Sequence, residues 1–279
     1  MNTKPILLVD GHNLLFRMFY GIQNSIKNSN GIEIKGLIGF IGSIKKLALE
    51  FEPYSIIVIF DSETSRYNNE KIDENYKENR KDYNNIEESD NPFSQLPFIK
   101  LALDYLNIIN FEVEDNETDD YIASIVKTRN DEKFIIISTD TDFLQLINRN
   151  VFMYVQRGKN SILYNEEIVR NKYSVLPKQY VIYKSLVGDK CDNINGIRGI
   201  GKVTAANILS YGTIENFIEK SENERLINLL LSNYNKIIKN QKLILLNNNL
   251  DTSQLKFNEL SEKLYKEKVH DIIRNIGLS

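Results

Sequence analysis

The sequence predicts an α/β fold with a mainly parallel central sheet, followed by a helical C-terminal region. Through residues 1–176, short β-branched runs alternate with helical patterns, which is typical of strands joined by crossover helices. From residue 177 onward, apolar residues recur at three and four spacing and strand signals vanish, so residues 177–279 are predicted to be all-helical. We therefore expect two domains that meet near residue 176.

Individual elements of the first domain follow from the same patterns. The candidate strands are Ile6–Val9, Ser55–Phe60, Ile108–Glu112, Lys133–Ser138 and Val151–Val155. The candidate helices are Ile34–Glu50, Pro92–Leu106 and Thr118–Arg129. Pro92 suits the first turn of its helix, where a missing N–H has no cost.

Composition excludes several classes of protein. The 279 residues are 42% hydrophobic, enough to bury a core. The single cysteine, Cys191, cannot form an internal disulfide. No apolar run approaches 18 residues and no signal pattern begins the chain, so we expect a cytoplasmic protein without a membrane segment. A net charge of −3 is not that of a basic nucleic-acid-binding domain.

Acidic residues lie at the ends of several predicted strands or in the loops that follow apolar runs. They are Asp10, Asp61, Glu117, Asp119, Asp120, Asp140, Asp142, Asp189 and Asp192. A single Asp in such a place is often the N-cap of the next helix, but capping requires only one acid per helix. Because the carboxyl ends of parallel strands share one edge, these acids are predicted to converge. Carboxylate clusters suit Mg²⁺, which predicts a divalent-metal phosphodiesterase.

Residues 62–91 interrupt the alternation with a polar segment that has almost no aliphatic residue. Its cations and aromatic rings suit phosphates and unstacked bases. They are Arg66, Tyr67, Lys71, Tyr76, Lys77, Arg80, Lys81 and Tyr83. A solvated linker is the alternative, because many acids are mixed with them.

A glycine-rich turn, residues 196–204, leads into an apolar helix. Gly199 and Gly201 allow a phosphate to approach the backbone, and the N–H groups of the following helix favour an anion. With Lys202, this pattern predicts a helix–hairpin–helix that holds a DNA backbone. A P-loop is disfavoured because Val203 replaces the required hydroxyl residue and no strand is expected before the turn. A dinucleotide fingerprint fails at Thr204, and a plain helix–helix connection remains open.

Taken together, these motifs resemble the 5′-nuclease family, which includes flap endonucleases and the N-terminal exonuclease domain of bacterial DNA polymerase I. The resemblance covers residues 4 to about 250. The matching stretches are Leu7-Leu8-Val9-Asp10-Gly11, Leu15-Phe16-Arg17, Phe60-Asp61, Tyr76-Lys77-Glu78-Asn79-Arg80, Glu117-Thr118-Asp119-Asp120, Asp140-Thr141-Asp142-Phe143-Leu144-Gln145-Leu146 and Gly188-Asp189-Lys190-Cys191-Asp192-Asn193.

The resemblance implies a PIN-like nuclease core, a helical arch within residues 62–91 and a helix–three-turn–helix element near residues 185–210. It also implies two Mg²⁺ ions, which Mn²⁺ could replace, and a K⁺ ion at the glycine turn. The implied ligands of the first ion are Asp10, Asp61, Glu117, Asp119 and Asp140, and those of the second are Asp142, Asp189 and Asp192. Asp120 would act through metal-bound water, and Lys77 and Arg80 would assist catalysis. The implied DNA contacts are Arg17, Arg66, Tyr76, Lys77, Arg80, Gly196, Gly199, Gly201, Lys202 and Thr204.

The implied function is that of a 5′-3′ exonuclease and flap endonuclease that cuts DNA near single-strand/duplex junctions and leaves a 5′ phosphate. The resemblance further implies a monomer linked in function to a DNA polymerase, near the nucleoid of a bacterial or phage-infected cell. A non-catalytic DNA-binding paralogue and a PIN-group ribonuclease are the alternatives.

Overall fold

A six-stranded sheet forms the centre of the protein in a computed structural model that describes residues 4–62, 86–87 and 90–278. The strands are β1 Ile6–Asp10, β2 Ser55–Asp61, β3 Ile109–Val113, β4 Phe134–Ile137, β5 Val151–Val155 and β6 Ile162–Tyr164. Their order is β3-β2-β1-β4-β5-β6, with all neighbours parallel except β5 and β6. The predicted mainly parallel sheet is confirmed. Strand β6 was not predicted, because three residues give too short a pattern.

Helices cover both faces of this sheet. They begin with α1 Gly11–Gly21, α2 Lys35–Phe51, α3 Leu96–Tyr105, α4 Thr118–Thr128 and α5 Glu166–Tyr173. The predicted helix Pro92–Leu106 is divided, because Pro92–Gln95 forms a 3-10 turn before α3. Helix α1 was not among the helices predicted from the sequence.

Both faces of β1 are buried. Leu7 and Val9 pack with residues of α1, α2 and α3, whereas Ile6 and Leu8 pack with residues of α4 on the opposite face. Burial on both sides explains why β1, β2 and β4 are continuous apolar runs rather than alternating patterns. Strand β1 lies between β2 and β4, and the later strands are added on both sides of it, with β2 and β3 on one side and β4 to β6 on the other. Its carboxyl end is therefore a switch point of the sheet, where α/β proteins bind ligands.

The C-terminal region contains seven helices among the described residues. They are α6 Tyr180–Val187, α7 Lys202–Ser210, α8 Ile214–Lys220, α9 Glu224–Ser232, α10 Tyr234–Ile244, α11 Glu262–Lys266 and α12 Val269–Asn275. Helix α10 packs against α6, whereas α11 and α12 return to pack against α2. No helix in the described part of the chain has the length and apolar character needed to cross a membrane.

The prediction that this region is all-helical is wrong at one point. Strands β7 Gly188–Asp189 and β8 Ile194–Asn195 form a small antiparallel pair. A Cβ atom on Gly188 would lie 2.5 Å from the backbone nitrogen of Gly196, and one on Gly196 would lie 2.4 Å from the carbonyl carbon of Val187. Two-residue strands held together by close glycine backbones leave no apolar run that a sequence pattern could detect.

Candidate metal and nucleic-acid site

Asp10, at the carboxyl end of β1, is fixed by two hydrogen bonds. Its Oδ1 accepts the N–H of Asn13 at 3.1 Å, and its Oδ2 accepts the hydroxyl of Ser138 at 2.8 Å. Asp10 is therefore the N-cap of α1 as well as part of the acidic edge. Burial, with repulsion from Asp61, raises the pKa of Asp10 to about 6, which is expected of crowded carboxylates that have no cation beside them.

Asp61 occupies the equivalent place at the end of β2. Its Oδ1 accepts the N–H of Thr118 at 2.8 Å, and its Oδ2 lies 3.3 Å from Nδ1 of His12. Burial alone would raise the pKa of Asp61, but the contacts with His12 and Thr118 outweigh it and lower the pKa to about 2. Asp61 is thus held as a carboxylate. His12 was not predicted from the sequence, although its place two residues after Asp10 could have indicated it.

Three acids lie just before and within the first turn of α4. Glu117 is the residue before α4, and Asp119 and Asp120 lie in its first turn, where the helix dipole favours negative charge. The N–H of Asp120 donates to Oδ1 of Asp119 at 3.0 Å. Oδ1 of Asp120 accepts the N–H of Asn247 at 2.8 Å, so the C-terminal region orients this carboxylate. The role of Asp120 through metal-bound water stays a prediction.

Ser138 joins Asp10 to Asp140 after β4. Its hydroxyl donates to Asp10 and accepts the N–H of Asp140 at 3.0 Å. Oδ1 of Asp140 in turn accepts the N–H of Asp142 at 2.9 Å. Asp10, Asp61 and Asp140 also interact electrostatically, so the ends of three neighbouring strands bring these acids to one edge of the sheet.

A second group, Asp142, Asp189 and Asp192, is tighter. One carboxylate oxygen from each lies within 4.8 Å of the other two. Asp142 and Asp192 are buried, and Asp189 is half-buried. Burial, together with Asp140 and Asp192, raises the pKa of Asp142, while the neighbouring Lys184 opposes this. Three convergent oxygen donors fit a hard divalent cation such as Mg²⁺, so this group could hold a metal ion.

Lys184, on α6, completes this group and was not predicted. Its side chain is buried and its Nζ contacts Oδ1 of Asp142 and Oδ2 of Asp189. Burial alone would lower the pKa of Lys184, but the two carboxylates raise it above its ordinary value, so Lys184 is an ammonium. The only signal in the sequence is a lysine among the apolar residues of α6.

The glycine turn presents an open helix start to the surface. Helix α7 begins at Lys202, with Gly201 as an N-cap residue that provides no side-chain cap. A Cβ atom on Gly201 would meet nothing within 4 Å, and Val203 is 85% exposed. Packing within the protein therefore does not require Gly201 to be glycine, whereas Gly199 has a φ of 95° that favours glycine. Thr204 is half-buried in the first turn.

Two findings modify the interpretation of this turn. Gly196 packs against the backbone of Val187 and Gly188, so an internal close approach already accounts for this glycine. Strand β8 directly precedes the turn, so the expectation that no strand lies there is wrong. The strand is antiparallel and two residues long, and Val203 still lacks the hydroxyl that a P-loop requires.

The remaining predicted DNA contacts are Arg17, which lies on α1, and residues that fall outside the described part of the chain. Arg17 donates from Nη2 to the carbonyl of Gln156, while its buried Nη1 has no partner within the described residues. Burial, with repulsion from the nearby Arg157, lowers the pKa of Arg17. The segment that contains Arg66, Tyr76, Lys77 and Arg80 lies outside the described residues, as does most of the predicted arch.

Comparison with known proteins places the chain in a class of exonucleases with a resolvase-like N-terminal domain. The family model described as "5′-3′ exonuclease, N-terminal resolvase-like domain" matches residues 5–174. A second model, "5′-3′ exonuclease, C-terminal SAM fold", matches residues 175–267. The chain belongs to the 5′-3′ exonuclease family, and the resemblance found in the sequence is confirmed.

Relatives occur both as separate proteins and within polymerases. The chain is 32% identical to a 5′-3′ exonuclease of Mycoplasma genitalium over 255 residues, 86% of this chain and 82% of the relative. It is 33% identical to a thermostable DNA polymerase I of Thermus filiformis over 219 residues, 77% of this chain. The matched region spans only 25% of that polymerase.

Solved structures agree with the fold. A zinc-bound T5 5′-exonuclease is 25% identical, with a TM-score of 0.69, and the match covers 88% of this chain and 90% of the other. The catalytic core of Rad2 in complex with a DNA substrate is 15% identical, with a TM-score of 0.61, covering 98% and 87% of the two chains. The second likeness shows the fold alone.

Proposed function

We propose that this protein is a divalent-metal-dependent 5′-3′ exonuclease and flap endonuclease that hydrolyses DNA phosphodiester bonds. The observation that carries the proposal is the convergence of Asp142, Asp189 and Asp192 beside the acids at the switch point of the sheet. Membership of the 5′-3′ exonuclease family supports it. The 5′-3′ exonuclease relative of Mycoplasma genitalium supports it further.

Two groups of residues would hold two Mg²⁺ ions, which Mn²⁺ could replace. Asp10, Asp61, Glu117, Asp119 and Asp140 would form the first group, and Asp142, Asp189 and Asp192 the second. When bound, such ions lower the pKa of an attacking water and stabilise the leaving oxygen of the phosphodiester. His12 and Ser138 orient Asp61 and Asp10 before substrate arrives, and Asp120 would orient the metal-bound water. Lys77 and Arg80 would neutralise charge on the phosphate.

The substrate would be DNA with a 5′ flap, a nick or a 5′ overhang. The open start of α7, with Gly199, Gly201, Lys202 and Thr204, would hold the duplex backbone without reading its sequence, and a K⁺ ion at the turn would assist. Arg17, through its unpaired Nη1, would contact a phosphate near the scissile bond, together with Arg66 and Tyr76 from the polar segment. Cleavage near the junction would leave a 5′ phosphate.

We further propose that the chain acts as a monomer in the cytoplasm, close to the nucleoid, with a functional link to a DNA polymerase. The exonuclease relative of Mycoplasma genitalium and the polymerase I relative of Thermus filiformis support this setting.

A cleavage assay on 5′-labelled DNA tests the proposal. Flap, nicked and single-stranded DNA, with structured RNA as competitor, are incubated with the protein in Mg²⁺ or EDTA and resolved on a gel. We expect cuts near the flap junction in Mg²⁺ and no cuts in EDTA. Cleavage of RNA in preference to DNA would favour the ribonuclease alternative, and flap binding without cleavage would favour the DNA-binding paralogue.

A further inference from the structure

A buried ammonium group lies within the second acidic group. Lys184 is 4% exposed, and its Nζ contacts Oδ1 of Asp142 and Oδ2 of Asp189. Those two carboxylates also belong, with Asp192, to the set whose oxygens converge within 4.8 Å. Charges buried in this way require a partner, and here Lys184 and the carboxylates partner one another.

Lys184 contacts two of the three carboxylates that a metal ion at this group would need. Both oxygens of Asp189 already have a partner, because Oδ1 accepts the N–H of Cys191 at 2.8 Å and Oδ2 contacts Lys184. A divalent cation placed among these oxygens would lie within a few ångströms of the ammonium. At that separation, like charges in a protein repel strongly.

We propose that Lys184 is a built-in competitor of the divalent cation for Asp142 and Asp189. Its ammonium must leave at least one carboxylate oxygen before an ion binds there, which keeps the ion affinity of this group low until a DNA phosphate offers the ammonium another anionic partner. The inference rests on the proposed function only in that these carboxylates bind a divalent cation.

Mn²⁺ titration followed by electron paramagnetic resonance tests this competition without catalysis. Lys184→Met removes the charge and keeps the apolar stem, Lys184→Arg keeps the charge, and Lys100→Met removes a lysine from a partly exposed pair with Glu112. For the weakest Mn²⁺ site in each protein, we expect the dissociation constant of Lys184→Met to be at least about ten-fold lower than that of the parent. Lys184→Arg and Lys100→Met should resemble the parent. Equal Mn²⁺ affinities for Lys184→Met and the parent would overturn the proposal.

The coupling to substrate has its own measurement. A phosphorothioate flap DNA that resists cleavage should tighten Mn²⁺ binding by the parent more than by Lys184→Met, because only the parent has an ammonium to release. An equal tightening in both proteins would show that phosphate does not act through Lys184.

Stability provides a second readout if Lys184→Met folds poorly. In EDTA this variant should melt below the parent because two carboxylates lose their cation, and Mn²⁺ should restore more of its melting temperature than it adds to the parent. If the variant does not fold at all, ¹³C-lysine spectra of the parent decide. The Lys184 signal, assigned by its loss in Lys184→Arg, should move on adding Mg²⁺, and an unmoved signal at saturating Mg²⁺ would contradict the proposal.

Cleavage by the parent protein separates this inference from the proposed function. If the parent cuts flap DNA but Lys184→Met gains no Mn²⁺ affinity, the inference is contradicted and the proposed function is not. If the parent cuts no nucleic acid but Lys184→Met gains Mn²⁺ affinity, the proposed function is contradicted and the inference is not.

Discussion

Nδ1 of His12 lies 3.3 Å from Oδ2 of Asp61 and so ties the first turn of α1 to the carboxyl end of β2. The ring of His12 also packs edge-on against Phe93, with centroids 5.2 Å apart. A histidine held on both sides can fix the direction of a carboxylate that binds metal, as outer-sphere partners commonly do.

His12→Phe should therefore weaken Mg²⁺ binding by about ten-fold while the fold persists. The phenyl ring keeps the aromatic packing but cannot pair with Asp61. Isothermal titration calorimetry measures the change, and Phe93→Leu, which alters the packing but leaves the His12–Asp61 contact, serves as the control. Equal losses in the two variants would mean that packing rather than the polar contact matters.

Asp142→Asn should reduce turnover on flap DNA on the order of 100-fold or more, with little change in DNA affinity. The amide keeps the shape of the side chain but is a poor ligand for a hard cation. Single-turnover cleavage and fluorescence anisotropy give the two quantities. The exposed carboxylate of Asp131 provides the control Asp131→Asn. Near-parent cleavage by Asp142→Asn would remove that carboxylate from the proposed site.

Mg²⁺ should stabilise the protein against unfolding. The cation relieves repulsion among carboxylates such as Asp10, whose pKa is raised to about 6. At 100 times its dissociation constant, a ligand specific for the folded state adds about 2.7 kcal/mol to the free energy of unfolding. Urea titrations in Mg²⁺ or EDTA, at matched ionic strength, measure it. An identical midpoint in both would argue against a metal site.

Lys202→Ala should weaken duplex DNA binding for all sequences alike. If Lys202 contacts a phosphate, the slope of log affinity against log salt concentration becomes smaller by about one. Lys46→Ala, on the exposed side of α2, removes the same charge far along the chain from the turn. A slope unchanged in Lys202→Ala would mean that the turn is only a connection between helices.

Glu33→Gln should destabilise the fold in a pH-dependent way. Glu33 is 7% exposed as a residue, and its carboxylate accepts hydrogen bonds from Ser25 and from the N–H groups of Ile26 and Lys35. Burial would raise the pKa of Glu33, but these bonds outweigh it and lower the pKa below the usual 4.5. A lowered pKa contributes stability above pH 4.5 that is lost as the pH falls further.

The expected loss in Glu33→Gln is about 2 kcal/mol at pH 7. Urea unfolding at pH 7 and below pH 4 measures it, and the difference from the parent should shrink at the lower pH. Glu114→Gln, at an exposed position, is the control. A loss that does not vary with pH would mean that shape, not charge, stabilises this loop.

The parallel sheet was predictable because each buried strand, such as Ile56 to Phe60, is an uninterrupted apolar run that only a doubly covered sheet explains. The acids at its edge were predictable for a related reason, since the chain must turn to solvent where such a strand ends. Asp10 and Asp61 show both effects, and Asp10 shows in addition that capping and site formation are compatible.

The features that could not be predicted from the sequence depend on contacts between residues that are distant in the chain. The pairing of Lys184 with Asp142 joins residues far apart in the chain, and nothing local distinguishes this lysine from any helix lysine. The β7–β8 pair depends on the backbones of Gly188 and Gly196 approaching each other, which has no hydrophobic signature. His12 stood beside a recognised motif but has an aromatic environment that forms only on folding.

The return of α11 and α12 to α2 has a consequence for any attempt to divide the chain. Leu264 and Ile272 share one apolar cluster with Leu37, Phe40 and residues of the sheet. A fragment ending near residue 176 would leave that side of α2 uncovered and prone to self-association. Each half of the chain matches a family model of its own, but the two halves therefore depend on each other to fold.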